Sequence, residues 1–257
     1  IVNPLPDFQV TTPQIVCNNG PSITISVENP GDIYDYVWTD PDSNTVIGSF
    51  INVGPNQGGL YTVTATTTNG TGCTRTRTIQ VNESIIATIT QDDVTIVDDS
   101  DNNSITIDPT NLGIGDYEYA LSDENNVIIH SYQDSPIFER LEGGFYNILV
   151  RDKNGCGEVS LLVSVVEFPK FFTPNNDGIN DTWIVKGANS TFFPESSIYI
   201  FNRFGKVVAN IPIDSQGWSG EYGGNRLPSD DYWFAIKLVD PQGAIRERKG
   251  NFSLLRK

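Results

Sequence analysis

The chain has no methionine, one histidine and half as many Lys and Arg (16) as Asp and Glu (32) in its 257 residues. The resulting net charge of −16 denies it the basic stripe on which nucleic-acid binding depends, and anionic membranes are disfavoured for the same reason. We expect no transmembrane segment, because no apolar run approaches the roughly 20 residues that a membrane-crossing helix requires. No charged-then-apolar leader opens the sequence and its first residue is Ile, so a piece of a longer precursor is expected. One histidine and three cysteines without a C-x-x-C spacing leave too few ligands for structural zinc. Catalytic signals are missing too. There is no nucleophile elbow and no phosphate loop, and no pattern sets two of the many carboxylates across a cleft. His130, in the run VIIHSY, reads as an ordinary strand side chain, and the chain is expected not to be an enzyme.

Helical periodicity is the last absence, and it turns attention to what is present. Thr, Ser, Val, Ile and Asn dominate, with 23 Gly and 15 Pro as punctuation, which is the composition of an all-β chain. Three blocks then recur in the same order. IVCNNGPSITI from Ile15 matches IVDDSDNNSITI from Ile96, and YDYVW from Tyr34 matches DYEYAL from Asp116. GGLYTVTATTTNGTGC, ending at Cys73, matches GGFYNILVRDKNGC, ending at Cys156. Within the first copy Ile23, Ile25 and Val27 point one way while Ser22, Thr24 and Ser26 point the other. About seven short strands per copy, with turn signals between them, give the pattern of an immunoglobulin-like or PKD-like sandwich. We therefore expect three consecutive β-sandwich domains, at residues 1–84, 85–167 and 168–257. Cys17, Trp38 and Cys73 follow the order Cys…Trp…Cys, so a Cys17–Cys73 disulfide is expected. Asp98 stands in the second copy where Cys17 stands in the first, which leaves Cys156 as a buried, inert thiol.

The charge balance reverses at the third domain: residues 1–167 carry 5 basic and 23 acidic side chains, residues 168–257 carry 11 and 9. SSIYIFNRFGKVV reads as a hairpin turning at residues 203–205, with Ile198 and Ile200 on one face, and a second hairpin turns at residues 240–243. Trp183, Trp218 and Trp233 are expected as core anchors. The unusual stretch is FFTPNNDGINDTW, residues 171–183. Pro174 fixes one φ angle, Asn175, Asn176 and Gly178 permit tight turning, and Ile179 and Trp183 are placed to plug the loop into the core. Asn175, Asp177 and Asp181 around Gly178 also imitate part of a calcium loop. Thr173 and Ile184 stand where its first and last ligands belong, so the three make a weak calcium candidate and no other cofactor is expected.

Taken in order, FPKFFTPNNDGINDTWIVKG, IYIFNRFGKVV, GWSGEYGGNRLPSDDYWFAIKL and KGNFSLLRK resemble a known family. It is the type B C-terminal domain of type IX secretion substrates of the Bacteroidota, found at the end of gliding-motility surface adhesins. Asn176 departs from that family, which commonly has Gly there. The resemblance implies a sorting signal, carried through the outer membrane by the type IX translocon and handled by a PorP/SprF-like outer-membrane barrel protein. Its residues here would be Phe172, Pro174, Asn175, Asp177, Gly178, Asn180, Asp181 and Trp183 in the loop, with Phe252, Leu254, Arg256 and Lys257 at the end. There a last strand could join a partner's exposed edge by main-chain pairing. The two copies upstream resemble the stalk repeats of such adhesins, in which V-x-D-x-N-G-C recurs; Val150, Asp152, Asn154, Gly155 and Cys156 fit. The implied location is the cell surface after passage through the periplasm. Two other readings stay open. The repeats could bind glycan or protein, for which a cleft lined by exposed Trp or Tyr would speak, or the chain could be the accessory tail of an exported hydrolase.

Overall fold

A computed structural model describes residues 4–68, 70 and 72–256. The fold is all-β, and among the described residues only two 3-10 turns, Gln91–Asp93 and Pro109–Asn111, are helical. The first repeat contains β1 (Gln9–Val10), β2 (Gln14–Cys17), β3 (Ile23–Glu28), β4 (Tyr34–Thr39), β5 (Thr45–Ile47), β6 (Phe50–Val53), β7 (Gly59–Thr67) and β8 (Thr74–Ser84). One sheet runs β2-β8-β7-β4-β5 and faces a second, β1-β3-β6. Alternation explains the packing. Tyr61, Val63 and Ala65 of β7 point inward onto Trp38, Ile25 and Val53, while the Thr residues between them stay outside the core.

The second repeat contains β9 (Val94–Val97), β10 (Asn103–Ile107), β11 (Tyr117–Ser122), β12 (Ile128–Gln133), β13 (Ile137–Leu141), β14 (Gly144–Asp152) and β15 (Glu158–Val165). Its sheets are β12-β11-β14-β15 and β13-β10-β9, around a separate core that includes Ile105, Leu121, Ile148 and Val163. His130 packs edge-on against Phe138, with ring centroids 5.7 Å apart.

The third domain contains β16 (Phe171–Phe172), β17 (Ser197–Phe201), β18 (Val207–Ile211), β19 (Glu221–Tyr222), β20 (Asn225–Arg226), β21 (Asp230–Val239) and β22 (Ile245–Leu254). Its main sheet, β16-β22-β21-β17-β18, has the same connectivity as β2-β8-β7-β4-β5, including the parallel pairing of the first strand with the last. Its facing layer is built from loops instead of a full second sheet. Two of those loops meet where Trp183 and Trp218 exchange backbone hydrogen bonds, both 2.9 Å. One further feature recurs in all three domains. A buried Tyr hydroxyl donates to the carbonyl four residues upstream: Tyr61 to Gln57, Tyr146 to Glu142 and Tyr232 to Pro228. This is the corner expected of immunoglobulin-like sandwiches, and it relates the third domain to two repeats whose sequence it does not share.

The cysteine expectation is overturned. Cys17 is bonded to Cys156 across the boundary between the repeats, with Cα atoms 5.4 Å apart, and Cys73 is free. The reason is strand direction. Cys17 ends β2 beside Ser84, the last residue of β8, whereas Cys73 precedes the first residue of β8. An 11-residue strand spans about 35 Å, far beyond what a disulfide can bridge. Cys156 lies in the turn between β14 and β15, which faces the first repeat: Asn154 donates to the Ser84 hydroxyl at 3.2 Å. At the next boundary Asp98, at the repeat position of Cys17, forms a 2.6 Å ion pair with Arg246 of β22, and the neighbouring Asp99 pairs with Arg248 at 3.4 Å.

Candidate functional site

The unusual loop starts from a buried anchor. Phe172 is completely buried, and β16 pairs with the end of β22 so that Phe172 lies opposite Leu254. The chain then turns outward through Thr173 and Pro174, and residues 175–180 are all exposed. Asn176, Gly178 and Asn180 take positive φ values of 65°, 85° and 52°, the left-handed region that Gly and Asn tolerate best.

Asp181 organises the turn. One carboxylate oxygen accepts the backbone N–H groups of Asn175 and Asn176 at 2.9 and 2.6 Å, and the other accepts Gly178 N–H at 2.8 Å. These bonds, that of Gly178 foremost, hold the Asp181 carboxyl below the usual carboxylate range. Asp177 is engaged as well, by Ile179 N–H and the Asn175 amide group. Both carboxylates of the calcium candidate thus accept donors from the loop itself. Among the described residues no group of three His, Cys, Asp or Glu side chains could hold a metal ion.

Trp183 closes the loop from below. It is fully buried, stacks on Phe252 at 4.3 Å, and donates from its indole N–H to the Pro169 carbonyl at 2.9 Å. Trp218, Tyr232, Phe234 and Phe172 complete an aromatic core. Two expectations need correction here. Ile179 is 67% exposed and plugs nothing, because the Asp181-centred turn carries it outward. Trp233 is 42% exposed, since β21 buries Tyr232, Phe234, Ile236 and Leu238 and sends the residue between the first two to the other face.

The end of the chain is not an available edge either. β22 is bonded along its length to β21, and at its end β16 occupies the other side, with Phe252 and Leu254 in the core. At residues 253 and 254 both hydrogen-bonding sides of β22 are taken, so a partner strand cannot pair with those two residues. Arg256 is a clamp that sequence reasoning missed. Its Nε donates to the Leu227 carbonyl and its Nη2 to those of Ser219 and Gly220, at 3.0 to 3.2 Å. Its backbone N–H donates to the Ser229 hydroxyl. Lys257 lies outside the described residues.

The sequence-derived set therefore separates physically. Phe172, Trp183, Phe252 and Leu254 are core, Arg256 fastens loops, and residues 175–180 form an exposed turn bonded to Asp181. Exposed aromatic residues lie elsewhere on the same domain: Phe204, with the Arg203 guanidinium 5.0 Å from its ring, and Tyr222, with the Lys206 ammonium 4.5 Å away.

These features define a chain of immunoglobulin-like β-domains ending in a domain with a looped second layer and an aromatic core. Residues 166–254 match the family of the CHU_C type IX secretion signal domain, so a type IX signal follows the two immunoglobulin-like repeats. No curated protein sequence matches the chain. Among solved structures, murine CEACAM1b is 11% identical, with 63% of this chain and 100% of that chain covered and a TM-score of 0.43. The immunoglobulin domains 1–5 of Sidekick-1 are 10% identical with a TM-score of 0.37; 98% of this chain is covered, and it spans 60% of that one. A Ca2+-stabilized adhesin with which an Antarctic bacterium binds ice is 11% identical, with 97% and 75% covered and a TM-score of 0.32. The signal domain marks the protein as secreted or cell-surface and as a client of the type IX secretion system.

Proposed function

We propose that residues 168–257 are a folded address, handled at the outer membrane by a PorP/SprF-like barrel protein, and that the two repeats are the stalk of a gliding-motility-type surface adhesin. The observation that carries this reading is the coincidence of the signal-domain match with a segment whose motif residues build one hydrogen-bonded turn on an aromatic core. The exposed residues 175–180 are then the surface presented to the machinery, and the buried ones set its shape. What favours a stalk over a binding module is that Trp38, the single Trp of the two repeats, is fully buried. A non-catalytic role agrees with the absence of catalytic motifs in the sequence.

Deleting residues 168–257 in a type IX-secreting cell tests this. The shortened chain is expected to stay in the periplasm with its repeats folded and Cys17–Cys156 formed, because each repeat has its own core. Surface display of the shortened chain, measured by protease accessibility on intact cells, would refute the address.

A further inference from the structure

Cys73 and Cys156 occupy the same place in their two domains, and only one of them has a partner. Each lies in the hairpin before the last strand of its repeat, directly after a left-handed glycine: Gly72 at φ 63° and Gly155 at φ 88°. Each backbone N–H is accepted at 3.1 Å by the side chain that opens the turn, Thr67 Oγ1 for Cys73 and Asp152 Oδ2 for Cys156. The next residue along, Thr68 or Lys153, donates to the carbonyl just ahead of the adjacent strand, that of Ile33 or Asp116. The two turns share these bonds, though the first is two residues longer, and the one in the second repeat is covalently tied to the domain before it.

That tie follows a rule of direction. At the first boundary the hairpin of the later domain reaches back to Cys17; at the second, β22 of the third domain reaches back through Arg246 to Asp98, the residue in the place of Cys17. The hairpin that carries Cys73 points to the opposite pole of the first repeat, where apolar surface is left open: Leu5 is 52% and Ile33 is 56% exposed. At the equivalent pole of the second repeat, Ile85 and Ile86 are half-buried against Gly113 and Gly157.

We propose that Cys73 is the receiving half of an inter-domain disulfide, whose other sulfur belongs to a domain of the same kind packed on this pole and sits at the end of its first-sheet strand, as Cys17 does. Covalent joints then run along the stalk, each domain's hairpin locked to its predecessor, and the joint before the signal domain is an ion pair instead. Bond formation takes two thiols to one disulfide with loss of two protons and two electrons. A disulfide-bonded thiol oxidoreductase of the periplasm accepts these by exchange and leaves as the dithiol.

The test is a tandem chain in which residues 1–84 are repeated ahead of residues 1–257, oxidised with the same disulfide donor as the parent chain. The parent takes up one maleimide per chain, at Cys73. The tandem is expected to take up one as well, and non-reducing peptide mapping is expected to join the inner Cys73 to the outer Cys17 while Cys17–Cys156 persists. Three labels per tandem chain would overturn the proposal, as would a map joining Cys17 to Cys73 within one copy or Cys73 to Cys73 between molecules. The protein taken from the surface of the producing cell gives the native comparison. Cys73 is expected there in a bond to a peptide from upstream of Ile1, and a free Cys73 thiol contradicts the proposal.

Discussion

Single side chains decide the shape of the exposed turn. Asp181 accepts three backbone N–H groups, which favours its charged form, so its pKa lies below the unfolded value. The stability this contributes is fully present above the unfolded pKa of about 3.9 and is lost as pH falls through the lower, folded value. An NMR pH titration is expected to show the amides of Asn175, Asn176 and Gly178 moving together, below the range of an ordinary Asp. In Asp181→Asn they are expected not to titrate and to exchange faster, because an amide group turned toward the donors cannot accept from all three. Arg256 acts by geometry more than charge, since its fork satisfies three carbonyls of separate residues. Arg256→Lys is expected to destabilise the domain nearly as much as Arg256→Ala, by about 1–3 kcal/mol in thermal unfolding, because one ammonium cannot reproduce the fork. Equal stability of the Lys variant and the parent would show that charge alone suffices.

Strand-level features were the most legible. Alternation in SSIYIF correctly buries Ile198 and Ile200, and the turns at Asn202–Lys206 and Asp240–Ala244 close the hairpins the sequence marks. The same alternation in DDYWFAIKL already placed Trp233 opposite Tyr232 and Phe234; residue size, a cue for burial, competed with parity, and parity won. What alternation cannot carry is the pole at which a turn lies, and the cysteine pairing depends on that alone. Nor could the exposed end of the sequence reveal that the last two residues of β22 are paired on both sides, because their second neighbour, β16, arrives from 82 residues away in parallel. Removing residues 253–257 therefore deletes core along with Arg256. Such a chain is expected to lose the cooperative unfolding of the third domain outright, by calorimetry or pulse proteolysis. A normal transition would mean that the terminal residues are dispensable to the fold.

Across the whole molecule, three separate cores are joined by two short boundaries that are fastened differently. The first carries a disulfide and the second carries Asp98–Arg246 with Asp99–Arg248, so salt should loosen the second and reductant the first. Cys17→Ser is expected to raise protease cutting near residues 84–86 several-fold while the far-UV spectrum stays the same; Cys73→Ser is expected to change neither the cutting nor the spectrum. Equal behaviour of the two variants would remove the structural role given to the inter-repeat bond.

The central claim, that the machinery reads a folded surface and not a linear tag, rests on Trp183. Its replacement by Ala leaves every exposed residue of the loop in the sequence but removes the ring that stacks on Phe252 and packs tilted against Phe234, a loss of about 3–5 kcal/mol. The direct measurement is the surface-exposed fraction of the Trp183→Ala chain in a type IX-secreting cell, by protease accessibility on intact cells, alongside in vitro proteolysis of its third domain. The account predicts retention in the periplasm as complete as that of the chain lacking residues 168–257. Normal surface display of a chain whose third domain is demonstrably unfolded would contradict it.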